Sequence, residues 1–334
     1  MVAIIGISFF IFFFYFLSSF NNLKTEHRFV FICLFVFSVF VLRIVISPEL
    51  NKDYDAYFGF HDSQMPQNII SFILGEPYLA IVYAFFDLFT DDKVVIFSGI
   101  YWFNLFFVTA FFVWILTRND IQMWKKNILF SSFYFLFAFV LIRNSGAYIM
   151  VALYFYYTYR NIKFNSVLIS PLIHLSSLPM LITYFHKQKN YYIYLISFIV
   201  FAAVAFIFLF PIISSSPGID RMLSKVSTYS AETETVSVFH KVYFLFVSFI
   251  LIITALVYKK KMLHPFIITT MALYYIGFMI NPVIGFRFVP YLLFSIFFFN
   301  YNGIYNSQQT RILNITSFFL FPYFLYTLID THNL

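Results

Sequence analysis

Five ionisable side chains lie inside or directly beside long apolar stretches of this sequence. They are Arg43, Glu76, Arg143, His174 and Arg287. An ionised group at the centre of a bilayer costs about 2.5–3.5 kcal/mol on insertion scales, so such residues are rare in spans and usually functional. A guanidinium group binds two oxygens of a phosphate at once and keeps its charge when buried. If the three arginines converge on one face, we expect a socket for a phosphate or pyrophosphate.

A short acidic and aromatic loop follows Arg43. Residues 51–57 place Asp53 and Asp55 among tyrosines that include Tyr57. An aspartate here could act as a general base or orient a sugar hydroxyl, and tyrosine rings offer stacking faces for sugars. The alternative is a solvated acidic loop, and the spacing alone leaves both interpretations open.

These ionisable residues also have structural interpretations. Arg43, at a helix end, could extend to the membrane interface instead of binding a ligand. His174 could be a neutral core histidine bonded to a carbonyl that Pro179 frees. Arg143 fits a simple anchor less well, because the run Arg-Asn-Ser-Gly at 143–146 interrupts a long apolar stretch with three more polar or flexible residues.

The elements that must position these residues are membrane helices. Of 334 residues, 62% are hydrophobic and 10% are charged, whereas about 25% are charged in an ordinary soluble domain. Because this small number of charges cannot cover a water-facing surface, lipid must surround most of the chain. The net charge of +7 is explained by membrane orientation, and we expect no nucleic-acid partner. The predicted fold class is an all-α, polytopic integral membrane protein.

Apolar length predicts about ten transmembrane helices in a single transmembrane domain over residues 1–334. A helix needs about 20 apolar residues to cross the hydrocarbon core. The segments 69–89 and 166–185 contain prolines that break helical hydrogen bonding, and we interpret both as interfacial or re-entrant. The predicted spans are 2–20, 29–46, 94–116, 127–142, 144–159, 191–212, 240–258, 264–281, 286–299 and 312–329.

The order of charges predicts how the helices are oriented. Basic loops alternate with acidic ones, and the positive-inside rule assigns the basic loops to the cytoplasm. The loops near 47–68 and 213–239 are acidic and are predicted to be external, which brings Arg43, Arg143 and Arg287 near external helix ends. The basic positions are Lys24, Arg28, Arg118, Lys125, Lys126, Arg160, Lys163, Lys187, Lys189, Lys259, Lys260, Lys261 and Arg311.

Motifs for cofactors and metals are not visible in the sequence. It has no P-loop, no dinucleotide-binding glycine pattern and no metal-ligand spacing among its seven histidines. Cys33, the single cysteine, can form no intrachain disulfide. We therefore expect no cofactor and a metal-independent reaction.

The order of these motifs resembles the EpsG-type branch of the Wzy polymerases, membrane enzymes that polymerise bacterial O-antigen, capsule or exopolysaccharide. The resemblance covers about residues 40–295, and it departs from the family at 144–146, where members commonly carry other residues. The matching positions are Asp53 and Tyr57 in a D-x-x-x-Y pattern, Glu76 before proline, Arg143, then His174 with Ser176, and the late Arg287.

The resemblance implies a GT-C-like glycosyltransferase that joins undecaprenyl-pyrophosphate-linked oligosaccharide repeat units at the external, periplasmic face of the bacterial inner membrane. Membrane lipids, a chain-length regulator and a flippase are the partners it implies. Arg143 and Arg287, with Arg43 third, are expected to bind the departing pyrophosphate. Asp53 is the first choice for the base and Glu76 the second, with His174 as orienter or proton relay.

Two other classes remain as alternatives. The chain could be a transporter or flippase of lipid-linked sugars, or an external membrane acyltransferase. A transporter favours two related halves and charges near the midplane, and neither is visible in the sequence.

Overall fold

In a computed structural model, the structure describes residues 2–51, 54–58, 77–201, 238–258, 264–299 and 307–331. These residues are predominantly helical and include no strand, which confirms the all-α prediction. Within the same ranges, three helices are long and apolar enough to cross a membrane: Thr25–Val45, Lys93–Leu116 and Gln308–Ile329. The larger number of about ten spans stays a prediction.

The helices are numbered here in chain order. They are α1 (Val2–Ser18), α2 (Thr25–Val45), α3 (Tyr54–Phe58), α4 (Pro77–Asp87), α5 (Lys93–Leu116), α6 (Met123–Phe135), α7 (Ser145–Tyr159), α8 (Ser170–Ile173), α9 (Tyr191–Phe201), α10 (Val238–Tyr258), α11 (Pro265–Ile280), α12 (Pro282–Phe297), α13 (Ser307–Thr316) and α14 (Phe321–Thr331). The segments Leu136–Val140 and Leu175–Phe185 form π-helical and 3-10 turns, respectively.

The distribution of side chains suits a lipid environment. Large apolar residues point outward: Phe37 is 66% exposed, Ile44 75% and Phe106 64%. Polar residues lie inside, and Asn104 in the middle of α5 is completely buried. Water would penalise this arrangement, whereas hydrocarbon favours it, so the helices are those of a membrane-embedded protein.

The chain forms two compact units. The first contains Met1–Leu178 and Tyr305–Leu334, and the second contains Pro179–Ile304. In the first unit the C-terminal helices return to α6, where the Asn127 amide donates to the Ser317 hydroxyl at 2.9 Å. The single transmembrane domain expected from the sequence stays a prediction.

The basic loops of the first unit lie together at one end of it. Arg28 donates to the Asn119 side chain at 2.9 Å, and Lys126 donates to that of Asn21 at 2.9 Å. Arg160 forms an ion pair with Asp120. These contacts join the α1–α2, α5–α6 and α7 ends, which matches the common side predicted from the charges; sidedness in the membrane stays a prediction.

Lys125 and Lys126 lie in a helix and not in the basic loop that the sequence predicted. Both lie in the first turn of α6 and are buried, at 4% and 0% exposure. The positive-inside rule counts charges along the chain, whereas burial here depends on neighbours that are distant in sequence.

In the second unit, α11 and α12 form a close helical hairpin. A Cβ added at Gly285 would lie 2.7 Å from the Cα of Phe278, so only glycine fits this crossing. The Asn281 side chain caps α12 by accepting from the Val283 amide at 2.8 Å. The hairpin places Arg287 in the second turn of α12, after the cap at Asn281.

Candidate functional site

The chain between α6 and α7 leaves the α-helical conformation. Residues 136–144, called the interrupted segment, consist of the π-helical turn Leu136–Val140 and a non-helical stretch that ends at Asn144. The sequence predicted a break at the polar run that begins with Arg143. Such a break frees backbone groups that need new partners, because hydrocarbon offers none.

Two buried asparagines supply hydrogen bonds to this segment. The Asn104 amide donates to the carbonyls of Phe137 and Ala138 at 2.8 and 3.2 Å, and its oxygen accepts from the Ser145 hydroxyl at 2.7 Å. The Asn51 amide donates to the Phe139 carbonyl at 2.9 Å. The break that carries Arg143 is thus held from two other parts of the chain.

Arg43 lies directly beside this segment. It is in the last turn of α2 and is only 4% exposed, so its side chain is enclosed by the protein. Its guanidinium carbon is 4.9 Å from the ring centre of Tyr101 and 5.8 Å from that of Phe139. The Nη1 atom is buried without a hydrogen-bond acceptor, and no carboxylate of the described residues pairs with it. The described surroundings therefore leave this cation uncompensated.

The described part of the acidic loop packs next to Arg43. In α3 the Tyr54 ring stacks on Tyr101 at 6.2 Å, and the Phe58 ring lies 5.1 Å from Phe97. Lys93 lies over the Phe58 ring at 4.2 Å. Burial raises the pKa of Tyr54, with smaller contributions from the carboxylates of Glu49 and Asp55, so its hydroxyl stays protonated and able to donate.

His174 and Ser176 form a local pair in the first unit. The His174 Nδ1 atom accepts from the Ser176 backbone amide at 3.0 Å and lies 2.6 Å from the Ser176 hydroxyl. Because Nδ1 accepts, the proton of the neutral ring belongs on Nε2. The preceding Ile173 lies 3.1 Å from the Cβ that Gly146 would carry, so α8 packs at the start of α7. His174 therefore comes close to the far end of the interrupted segment.

The structure gives the location of some of the other predicted site residues, and the rest lie outside the described residues. Arg143 is half-buried within the interrupted segment, and Arg287 lies in the second unit. Tyr57 is one of the five residues of α3. Asp53, Glu76 and the loop 213–237 lie outside the described residues. Arg43 thus contacts Phe139 of the interrupted segment, Arg143 lies within this segment, and Ile173, which precedes His174, packs at the start of α7. A common site for these residues and for all three arginines stays a prediction.

Sequence reasoning missed the residues that hold the break. Asn51 and Asn104 were not among the candidates, because the apolar stretches were searched for ionisable side chains alone. A lone amide in the 24-residue apolar helix α5 is itself a signal, since a buried amide requires hydrogen-bond partners. That rule would have found Asn104.

Comparison of the chain with protein-family models, curated proteins and solved structures finds no match.

Proposed function

We propose that this protein is a polysaccharide polymerase, a membrane glycosyltransferase that joins undecaprenyl-pyrophosphate-linked oligosaccharide repeat units. The proposal includes a GT-C-like fold of about ten spans in the bacterial inner membrane, with the site facing outside. The order of motifs in the sequence suggests this family, and the surroundings of Arg43 are compatible with its substrate.

The observation that carries the proposal is the buried charge of Arg43, with which no carboxylate of the described residues pairs. A buried cation without a carboxylate loses hydration that only an anion can replace. The rings of Tyr101 and Phe139 stabilise the guanidinium by cation–π contact but leave Nη1 without an acceptor. A phosphate oxygen is a suitable acceptor, and the neighbouring aromatic helix α3 offers faces for sugar rings.

In the proposed reaction, a hydroxyl of one repeat unit attacks the anomeric carbon of another. The new glycosidic bond forms as the carbon–oxygen bond to undecaprenyl pyrophosphate breaks, and the leaving group takes the electron pair. Arg43 and Arg143 stabilise the negative charge on the pyrophosphate, with Arg287 as a third contributor. Asp53 takes the proton from the attacking hydroxyl, with Glu76 as second choice.

The test uses purified full-length protein and lipid-linked repeat units extracted from a strain that lacks the gene. We expect chain lengthening without any energy source. Arg43→Gln, which removes the charge, should lower the rate about 10²–10³-fold, the usual cost of losing one preorganised group that stabilises developing charge. Lys187→Gln is the matched control, because Lys187 is exposed and should leave the rate unchanged.

Three outcomes would overturn the proposal. Folded protein that produces no lengthening contradicts a polymerase. Movement of the lipid-linked sugar across liposomes without lengthening would indicate a flippase, and transfer of an acyl group to the sugar would indicate an acyltransferase. Full activity of Arg43→Gln would remove Arg43 from the site and leave Arg143 to be tested alone.

A further inference from the structure

A dense cationic cluster occupies the end of the first unit opposite Arg43. This basic end is defined by Arg28, Arg118, Lys125, Lys126 and Arg160. Its members come from the start of α2, the loop after α5, the first turn of α6 and the end of α7. The proposed reaction uses none of them.

Asp120 is the acidic residue that contacts this cluster, and both of its carboxylate oxygens already have partners. Asp120 forms an ion pair with Arg160 through one carboxylate oxygen, and the other oxygen accepts from the Tyr156 hydroxyl at 3.0 Å. Arg160 also lies over the Tyr156 ring at 3.5 Å. One carboxylate that serves Arg160 and Tyr156 cannot neutralise four further cations.

Three of the cations have only neutral contacts among the described residues. Arg28 donates to the Asn119 side chain and to the carbonyls of Phe20 and Asn21. Lys126 donates to the Asn21 side chain and to the Leu116 carbonyl. The guanidinium of Arg118 lies over the Trp114 ring at 5.1 Å.

The positions of Lys125 and Lys126 make their positive charges electrostatically unfavourable. Positive charge is unfavourable in the first turn of a helix, where Lys125 and Lys126 lie. Burial lowers the pKa of each to about 7, helped by the charge of Arg160 on Lys125 and of Arg28 on Lys126. An anion at this end would relieve both penalties.

We propose that the basic end binds the phosphate of an anionic phospholipid headgroup through Arg28 and Arg118, and that this anion also offsets the charge of the buried α6 lysines. Exposed apolar side chains continue from the cluster, with Phe29 at 66% and Ile162 at 52% exposure. A lipid therefore satisfies both features, because its phosphate meets the cations and its acyl chains cover these side chains. Basic pockets between membrane helices bind anionic headgroups in this way.

The chain offers a built-in probe for this site. Two of its three tryptophans lie at the basic end: the Trp114 ring contacts Arg118, and the Trp124 ring centre lies 5.6 Å from the Lys125 ammonium. The third, Trp102, stacks on Phe40 at 5.7 Å and is next in sequence to Tyr101, which contacts Arg43. In a Trp102→Phe background, fluorescence therefore reports from the basic end. Quenching is measured with phosphatidylglycerol that carries brominated acyl chains, and with phosphatidylcholine that carries the same chains.

We expect phosphatidylglycerol to quench at a lower fraction of lipid than phosphatidylcholine. Arg118→Gln should reduce this preference about fivefold, the usual contribution of one basic residue near an anionic surface. Arg118→Lys keeps the charge and should retain most of the preference. Lys163→Gln removes an equal charge at an exposed nearby position and is the matched control.

Each contrary outcome overturns the proposal. Equal quenching by the two lipids means that the basic end does not select anions. Equal loss in Lys163→Gln and Arg118→Gln means that diffuse attraction, and not a built site, sets the preference. Displacement of phosphatidylglycerol by millimolar inorganic phosphate would assign the site to free phosphate. These measurements do not depend on the proposed polymerase activity.

Discussion

The two ends of the first unit bury cations in different ways. At one end, Arg43 rests on the rings of Tyr101 and Phe139, and two asparagines hold the neighbouring backbone. At the other end, Lys126 donates directly to a backbone carbonyl and to a side chain of another loop. At the first end, side-chain amides donate the hydrogen bonds that hold the backbone, whereas at the second end a lysine ammonium donates them.

This difference separates a charge available to a ligand from one used in the fold. The hydrogen bonds of Lys126 join the end of α5 to the α1–α2 loop, so its replacement should affect stability. The Nη1 atom of Arg43 supports no such link, so its replacement should affect ligand binding more than folding. The following predictions test that separation, beginning with the largest expected effect.

The first prediction concerns the sides of the membrane on which the two ends lie. In a Cys33→Ser background, Asp55→Cys reports from the Arg43 end and Asn22→Cys from the basic end; both positions are exposed. We expect an impermeant thiol reagent to label Asp55→Cys in intact cells and to label Asn22→Cys only after permeabilisation. The reverse pattern would place the proposed catalytic site in the cytoplasm.

The second prediction separates a bidentate arginine from a simple charge at Arg143. Lysine keeps the charge but presents one compact ammonium instead of a planar fork. We expect Arg143→Lys to reach normal abundance in the membrane and to polymerise about 10²–10³-fold more slowly. Polymer length is compared on gels from a strain without the native gene, and a full ladder would contradict the bidentate role. Arg287→Lys, in the second unit, should show the same defect.

The third prediction tests the amides that hold the interrupted segment. Asn104→Leu removes the donor to two carbonyls and the acceptor for Ser145, and each lost partner costs about 1–3 kcal/mol. We expect the free energy of unfolding in detergent to fall by about 3 kcal/mol. Thr109→Val, which removes one hydrogen bond to Tyr134 from the same helix, is the control and should cost about 1 kcal/mol. Equal losses of unfolding free energy in Asn104→Leu and Thr109→Val would mean that Asn104 does not stabilise the interrupted segment more than an ordinary buried hydrogen bond does.

The fourth prediction uses the lowered pKa of Lys126, about 7 in the folded chain. Between this value and the usual 10.5, the unfolded chain binds more protons than the folded chain, so stability rises with pH. From pH 7 to 9, in zwitterionic detergent, we expect a gain of about 2 kcal/mol from this lysine. The neighbouring charges are Arg28, which lowers the pKa, and Asp120, which raises it.

The control for the pH effect is Lys126→Gln, which keeps hydrogen-bond donors and loses the titrating group. Its stability should depend less on pH over the same range, measured by chemical unfolding at each pH. A slope unchanged from the native chain would assign the pH dependence to other groups.

Local features of the sequence predicted the helices and the break at Arg143, because both depend on apolar length and on a short polar run. The partners of that break are not local. Asn51 and Asn104 lie 88 and 33 residues from the carbonyls to which they donate, and nothing in their own surroundings in the sequence specifies this pairing. The burial of Lys126 was missed for the same reason, since its hydrogen-bond partner Asn21 lies 105 residues away.

The hydrogen bonds of the interrupted segment also have a consequence for biosynthesis. Both asparagines precede this segment in the chain, so ribosomal synthesis completes them first. The break can therefore find its donors already in place as it enters the membrane, without waiting for anything that follows Ser145. In contrast, the hydrogen bond between Asn127 and Ser317 closes only when the C-terminal helices arrive. We expect the break to be stabilised early during insertion, while the packing of α6 against the C-terminal helices is completed last.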